Sequence, residues 1–451
     1  MRRNVTLVAC LWTFSAGACG GQAAPAGESA PPSGADDDNT PGAGGQASTS
    51  GKDGGTRTPP KGGASAGKDS SVAAGPTRDA SGSVGDAAAP AGGHDENQPA
   101  PDAGDTQPTT QDKPQLAVSA DFLNQTLSVF NVDKMVEGAS RKDVLVGKVD
   151  LSKYSPGPVA LNVTPDGKTA LVSISGSFLG AFIDVPAGDG TLLFVDLEKL
   201  TVVGELYTGK SPMGIIITQD GKHAFVGQLS ENYMSYVDIE KRTFTKIDTG
   251  AQWNEELAMD DTGTVGIISY GTGGDAKTFS IADPTMSGST VGLSGDAGGT
   301  AFFPGTKIAY LVQAPTTLTA NVGGHNVVDV TDPKKPVVSD NVRIQAPTSY
   351  PCTAVHSRKT VVYPSYADNK AYLTEMRLEG NLAKEAQKIE VGDASNLPYG
   401  VSSTPDNRVL VAVPGNHYIG VVDLETKKAF TVPWEVTKSG PNDIKMIPKQ
   451  N

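Results

Sequence analysis

Residues Val195 to Val226 read VDLEKLTVVGELYTGKSPMGIIITQDGKHAFV. An acidic turn at Asp196 leads to the β-branched run Thr201-Val202-Val203. Then come a Pro-x-Gly start at Pro212-Met213-Gly214 and a short apolar stretch, Ile215-Ile216-Ile217. A turn at Gln219-Asp220-Gly221, seven residues after the proline, opens a second apolar run, His223-Ala224-Phe225-Val226. Short β-branched runs bounded by Gly, Asp, Asn and Pro are strands joined by hairpins. The same start and turn recur at Pro158-Val159-Ala160 with Pro165-Asp166-Gly167, and at Pro398-Tyr399-Gly400 with Pro405-Asp406-Asn407. Self-similarity at a spacing of roughly 40 to 50 residues marks a stacked or radial fold, because one such unit cannot bury its own apolar face.

Working outward in one register gives seven starts, at Pro158, Pro212, Trp253, Ala297, Pro351, Pro398 and Pro441. Each reaches its turn seven residues later, at Pro165, Gln219, Asp260, Pro304, Arg358, Pro405 and Pro448. A second run follows each turn, a third ends in an acidic residue (Asp196, Asp238, Asp329, Asp423), and a fourth is shorter. Four strands per unit make one propeller blade. The region opens at Leu116-Ala117-Val118-Ser119-Ala120, a second strand with no first, and closes after Asp443-Ile444-Lys445-Met446-Ile447, a first strand with no second. The expected fold is therefore an all-β, seven-bladed propeller of four-stranded antiparallel blades over 115–451. Its C-terminal strand completes the N-terminal blade and removes two exposed edges.

These repeats resemble those of the YVTN family of bacterial β-propellers, in Val195–Val226 and again in PYGVSSTPDNRVLVAV at Pro398–Val413. VVDVTDPKKPVV at Val327–Val338 is similar to the LVIVD repeat of bacterial surface propellers. The resemblance covers about three-quarters of the chain and implies architecture more than chemistry. Such propellers include surface proteins, lactonases, isomerases and electron-transfer subunits.

Upstream, Arg2 and Arg3 precede the apolar run Val5–Phe14, and Ser15-Ala16-Gly17-Ala18 follow, which reads as a signal peptide over 1–18. Ala16-Gly17-Ala18 suits ordinary cleavage, and with Cys19 it also resembles the lipobox of bacterial lipoproteins; both readings cut before Cys19. Lipidation of Cys19 is the expectation, since a long spacer follows directly. That would place the chain in the cell envelope, anchored in the outer membrane. Residues 19–114 are Gly-, Ala-, Ser-, Pro- and Asp-rich, with Val72 and Val84 the only larger apolar residues between Gly20 and Pro114. Such a segment has too little to bury to offset the cost of ordering it, so it is expected to be a disordered linker. Its coil reach is on the order of 50 to 60 Å, enough to hold a domain clear of a membrane.

The formal net charge is −13, carried partly by Asp36-Asp37-Asp38, Asp95-Glu96, Asp102 and Asp105. With no basic patch to neutralise phosphates, nucleic acid is excluded as an expected partner. Of the three cysteines, Cys10 leaves with the signal and Cys19 is the acylation site. Cys352 is then left without a disulfide partner. Gly63-Ala64-Ser65-Ala66-Gly67 matches a nucleophile elbow only by composition, since no strand or helix flanks it.

Candidate chemistry lies where loops crowd the channel mouth. Two long loops, 175–190 and 313–325, emerge on that expected ligand face, with His325 and His417 beside them. Asn254 with Glu255 and Asn442 with Asp443 share one register in different blades. Glu255 and Asp443 could bind Ca²⁺, act as an acid/base pair, or simply be hydrated. With His325 and His417 they could form a transition-metal site, although no local ligand spacing marks one. Cys352 falls in the register of Asn254 and Asn442, as a nucleophile or a small buried residue. Trp253, Tyr350 and Tyr399 would form an aromatic lip or pack between blades. No resident cofactor is expected. The expected function is a non-catalytic, monomeric binding or scaffold module of the cell envelope, meeting an envelope protein, peptide or glycan on the long-loop face. The alternative is a lactonase-like hydrolase or isomerase at the channel mouth. It is weakened by the scarcity of arginine near the blade junctions, where only Arg343 and Arg358 come close.

Overall fold

The computed structural model describes residues 113–449 apart from 177–189, 253, 272–273, 284, 286–287, 294, 296, 314–322, 345–350, 396–397 and 435–439. The signal, Cys19 and linker expectations, and nearly all of both long loops, lie outside the described residues.

Among the described residues, twenty-eight strands form seven four-stranded antiparallel sheets. Blade 1 takes its inner strand from the chain end, Asp443–Ile447, followed outward by Leu116–Asp121, Thr126–Asn131 and Leu145–Asp150. The inner strands of blades 2 to 7 are Pro158–Val163, Pro212–Ile217, Asn254–Met259, Ala297–Phe302, Thr353–Val355 and Val401–Ser403. Each inner strand contacts those of the two neighbouring blades, and the seventh returns to the first, so the ring is closed. Closure rests on the register Ala120↔Asp443 through Leu116↔Ile447, with the Asn442 peptide N–H donating to Ala120 O at 2.7 Å. This is the expected seven-bladed propeller with the expected seam.

The recurring turn has a local cause. Thr164 Oγ1 donates to Asp166 Oδ1 at 2.6 Å, Asp166 Oδ1 accepts the Lys168 N–H at 3.1 Å, and the Gly167 N–H closes on Thr164 O at 2.8 Å. Thr218, Asp220, Lys222 and Gly221 repeat these bonds at 2.6, 3.0 and 2.8 Å. Gly167 and Gly221 sit at φ +69° and +68°, the left-handed conformation that glycine tolerates without steric cost. The aspartate that ends the third strand of blade 2 works similarly: Asp196 Oδ1 accepts the N–H groups of Glu198 at 3.0 Å and Lys199 at 2.8 Å.

The glycine of the Pro-x-Gly start is set by neighbouring blades. A Cβ on Gly400 would lie 2.6 Å from Asp443 Cα, and one on Gly214 would lie 2.5 Å from Glu255 O. Both contacts are with backbone and cannot swing away. Gly400→Ala is expected to cost about 1–3 kcal/mol, as overpacking does, read as a lower urea midpoint with an unchanged denaturant slope. The apolar cores lie largely between blades. One cluster joins Val118, Leu127 and Val149 of blade 1 to Leu161, Val172 and Leu193 of blade 2. Another joins Ala117, Phe130 and Ile444 to Leu410, Ile419 and Trp434 across the seam.

Candidate functional site

Most polar residues singled out at the blade starts are engaged in holding blades together. Asn254 is fully buried, and its Nδ2 lies 3.0–3.3 Å from the carbonyl oxygens of Gln228, Glu231, Tyr233 and Ala251. Asn442 Nδ2 donates to Val159 O at 2.7 Å, bridging blade 1 to blade 2. Asp443 Oδ2 accepts the Leu161 N–H at 3.0 Å, while Oδ1 accepts from Ile444 N at 2.8 Å and Lys445 Nζ at 3.1 Å. Glu255 is buried, with Oε2 over Gly271, where a Cβ would come within 2.2 Å of it.

The two histidines belong to different blades, 5 and 7. His325 is 4% exposed within blade 5, its ring 5.0 Å from that of Tyr310 and its Nε2 3.6 Å from Asp340 Oδ2. Burial pushes this imidazole below its usual range against the pull of the Asp340 carboxylate. His417 sits at φ +53°, ending a short 3-10 turn, and its carbonyl accepts the Trp434 N–H at 2.7 Å. Tyr399 is half-buried and donates its peptide N–H to Ala412 O at 2.9 Å. Trp253 and Tyr350 lie outside the described residues, as does the side chain of Arg343. Arg358 is clamped on the buried Glu375 by bonds of 2.7 and 3.2 Å. Among the described residues no group of three or more His, Cys, Asp or Glu could hold a metal ion.

A different set of groups meets at the axis. Glu256 of blade 4, Lys445 of blade 1 and Cys352, just before the inner strand of blade 6, feel one another's charge. These blades are not neighbours in the ring, so the side chains interact across the channel. Glu256 and Lys445 are enclosed by the ring, and both keep some accessible surface. Burial lifts the Glu256 carboxyl to about 8, with Asp443 adding to the rise and Lys445 opposing it. Burial works against the Lys445 ammonium, but Asp443 and Glu256 outweigh it and hold the amine above its usual range. Burial pushes the Cys352 thiol well above its usual range, with Glu256 adding to the shift. Such a thiol is protonated and a poor nucleophile at neutral pH.

Sequence register missed Glu256 for a geometric reason. In blade 4 the pairing runs Asn254↔Tyr270 and then Leu257↔Ile268, so the inner strand carries one extra residue, a β-bulge. In blade 1 the closing strand pairs without a break, Ala120↔Asp443 and Ser119↔Ile444. A one-residue slip exchanges the faces of a strand. The backbone confirms the shift: a Cβ on Gly400 would meet Asn442 O and Asp443 Cα, whereas one on Gly214 would meet Glu255 O and Glu256 Cα. Glu256, rather than Glu255, is the spatial counterpart of Asp443. Comparing the ladder registers of the two blades finds it; counting from the proline does not.

The raised Glu256 carboxyl makes stability depend on pH. Between about pH 5 and 8 the folded protein keeps a proton that the unfolded chain has released, so stability is lost as pH rises through the folded value. Wild type is expected to lose about 2 kcal/mol more than Glu256→Gln between about pH 5.5 and 8.5, after a discount for solvent reaching the channel. Urea denaturation of both proteins across that range measures it.

No family model matches the chain, and no curated protein matches it. Several solved structures share the fold. A protein of unknown function from Desulfotomaculum acetoxidans is 12% identical with a TM-score of 0.56, over 73% of this chain and 98% of that one. A 6-phosphogluconolactonase-like protein from Bacteroides fragilis is 13% identical with a TM-score of 0.53, over 75% and 99%. Hydrazine synthase from Kuenenia stuttgartiensis is 17% identical with a TM-score of 0.51, over 65% and 90%. The likeness is one of fold. At these identities a shared propeller carries no chemistry with it.

Proposed function

We propose that the chain is an exported, YVTN-like propeller lipoprotein of the cell envelope, tethered through Cys19 and its linker, that acts as a non-catalytic binding module with its ligand site at the channel. The observation that carries the binding site is a contrast between rim and channel. At the rim, Asn254 and Asn442 are tied into the blades. In the channel, the Glu256 carboxyl makes no hydrogen bond among the described residues, and Lys445 gives one of its three donors to Asp443. Channel groups with unused hydrogen-bonding capacity are what a ligand meets, as in other concave sites with a few convergent polar groups. The partner classes that suit envelope display are a protein, a peptide or a glycan.

The test is a thermal-shift screen of the full chain against small peptides, sugars and organic ions, run in parallel on Glu256→Gln and Lys445→Met. Hits that Glu256→Gln or Lys445→Met weakens or strengthens support a channel site; hits that neither alters would place the ligand elsewhere and overturn it. For the tether, mass spectrometry of the mature N-terminus is expected to find a diacylglyceryl group on Cys19. An unmodified Cys19 refutes the anchor.

One observation favours a second reading, a lactonase-like hydrolase or isomerase. Glu256 is largely protonated at neutral pH, as a general acid must be. Turnover of a sugar lactone by wild type, and its loss in Glu256→Gln, would establish that reading in place of the first.

A further inference from the structure

The channel cluster lacks one positive charge. With both carboxylates ionised, Asp443 and Glu256 carry two negative charges against the single ammonium of Lys445, which is already bonded to Asp443 at 3.1 Å. Glu256 stands across the channel from that pair and, among the described residues, has no ion-pair partner of its own. The inner strands flanking its own, Pro212–Ile217 and Ala297–Phe302, contain no titratable residue. In the adjoining second strand, the Tyr270 hydroxyl is donated to Thr249 O at 2.7 Å. From the rest of the ring, Cys352 contributes only a neutral thiol.

We infer that the channel binds an organic ammonium group, such as a peptide amino terminus, a lysine side chain or an amino sugar, with Glu256 as its counter-ion. The inference rests on the channel-binding reading above and narrows it to a ligand class. An ammonium supplies the missing charge and N–H donors for the Glu256 oxygens, forming charge-assisted hydrogen bonds. A metal ion that needs several protein ligands suits the cluster less well, since the described residues offer no group of three metal-ligating side chains. The proton balance follows. Below about pH 8 the Glu256 carboxyl enters the complex protonated, and a bound ammonium displaces that proton to solvent. Affinity therefore rises with pH up to that point and levels off above it.

The test is isothermal titration of the full-length chain with n-butylammonium chloride at pH 6, 7, 8 and 9, in buffers of different ionisation enthalpy. Acetate and Ca²⁺ serve as parallel probes. The expected result is saturable butylammonium binding that strengthens about tenfold from pH 6 to 7, flattens above 8, and releases nearly one proton at pH 7. Glu256→Gln is expected to weaken binding at least tenfold and abolish proton release, and Lys445→Met to tighten it by removing the competing charge. If Glu256→Gln shows no cooperative melting transition, Glu256→Asp replaces it and should bind more weakly while still releasing a proton. Glu256-dependent binding of acetate or Ca²⁺ in place of butylammonium overturns the ammonium assignment and leaves a channel site standing. Absence of any Glu256-dependent binding by the three probes overturns both. Butylammonium binding that is indifferent to pH or to Glu256→Gln overturns the assignment as well.

Discussion

A chain ending at Gly440 is expected not to fold to the native propeller. Residues 441–451 supply the inner strand of blade 1, and removing them leaves Leu116–Asp121 as an open edge beside the channel. The same cut deletes Asn442 and Asp443, whose side chains tie blade 1 to Val159 and Leu161 of blade 2. It also removes fully buried Ile444, which packs with Ala117, Phe130, Leu410 and Trp434. Burial of an isoleucine contributes about 1.5–3 kcal/mol, and each ladder hydrogen bond about 1 kcal/mol. The total loss is more than about 5 kcal/mol, comparable with the whole stability of an ordinary domain. Circular dichroism and urea titration should show no cooperative transition, and a synthetic peptide of residues 441–451 added in trans should restore one. A truncated chain as stable as wild type would mean that the ring does not depend on its closing strand.

The second large effect is expected at Asp121, which anchors the other side of the seam. Its fully buried carboxylate accepts from Ser119 Oγ at 3.0 Å, Ser128 Oγ at 2.5 Å and Trp434 Nε1 at 3.0 Å. Arg141 lies 3.5 Å from Oδ2, with its guanidinium 5.6 Å from the centre of the Trp434 ring. Asp121→Ala leaves the indole N–H and the hydroxyls of Ser119, Ser128 and Thr126 without this acceptor, and leaves the largely buried Arg141 guanidinium without its carboxylate. That is expected to cost about 3–5 kcal/mol, as breaking a buried pair does. Asp121→Asn keeps the shape and one acceptor oxygen. Burial already raises the Asp121 pKa despite these donors, so the charged form is held at some expense. The amide should therefore cost well under half as much as alanine. Urea midpoints of the two variants decide it, and equal losses would show that charge rather than hydrogen-bond geometry dominates.

The fold was legible because its devices are local. Thr164-Pro165-Asp166-Gly167 and Thr218-Gln219-Asp220-Gly221 each specify a hairpin from four residues, so the blade count follows from how often such turns recur. Seam closure was legible too, since an unpaired first strand at one end and an unpaired second strand at the other leave a single way to complete the ring. The candidate site was legible only in part. Asn254, Asn442 and Asp443 stand out along the sequence because their neighbours are bland, but polarity at a blade start is equally what an inter-blade hydrogen bond requires. Bonds to Glu231 O, Val159 O and Leu161 N are invisible until the blades are assembled.

By itself, then, the sequence determined the repeat and the seven blades, because these depend on contacts a few residues apart, and the closing strand, because the blade count leaves one unpaired first strand and one unpaired second strand to join. Only the tertiary structure decided which carboxylate reaches the axis. A single extra residue in the inner strand of blade 4 changes its phase and exchanges Glu255 for Glu256. The ring then brings Glu256, Lys445 and Cys352 together from blades 4, 1 and 6. Their shifted proton affinities arise from shared burial and charge across the channel, a property of closure that no window of sequence contains.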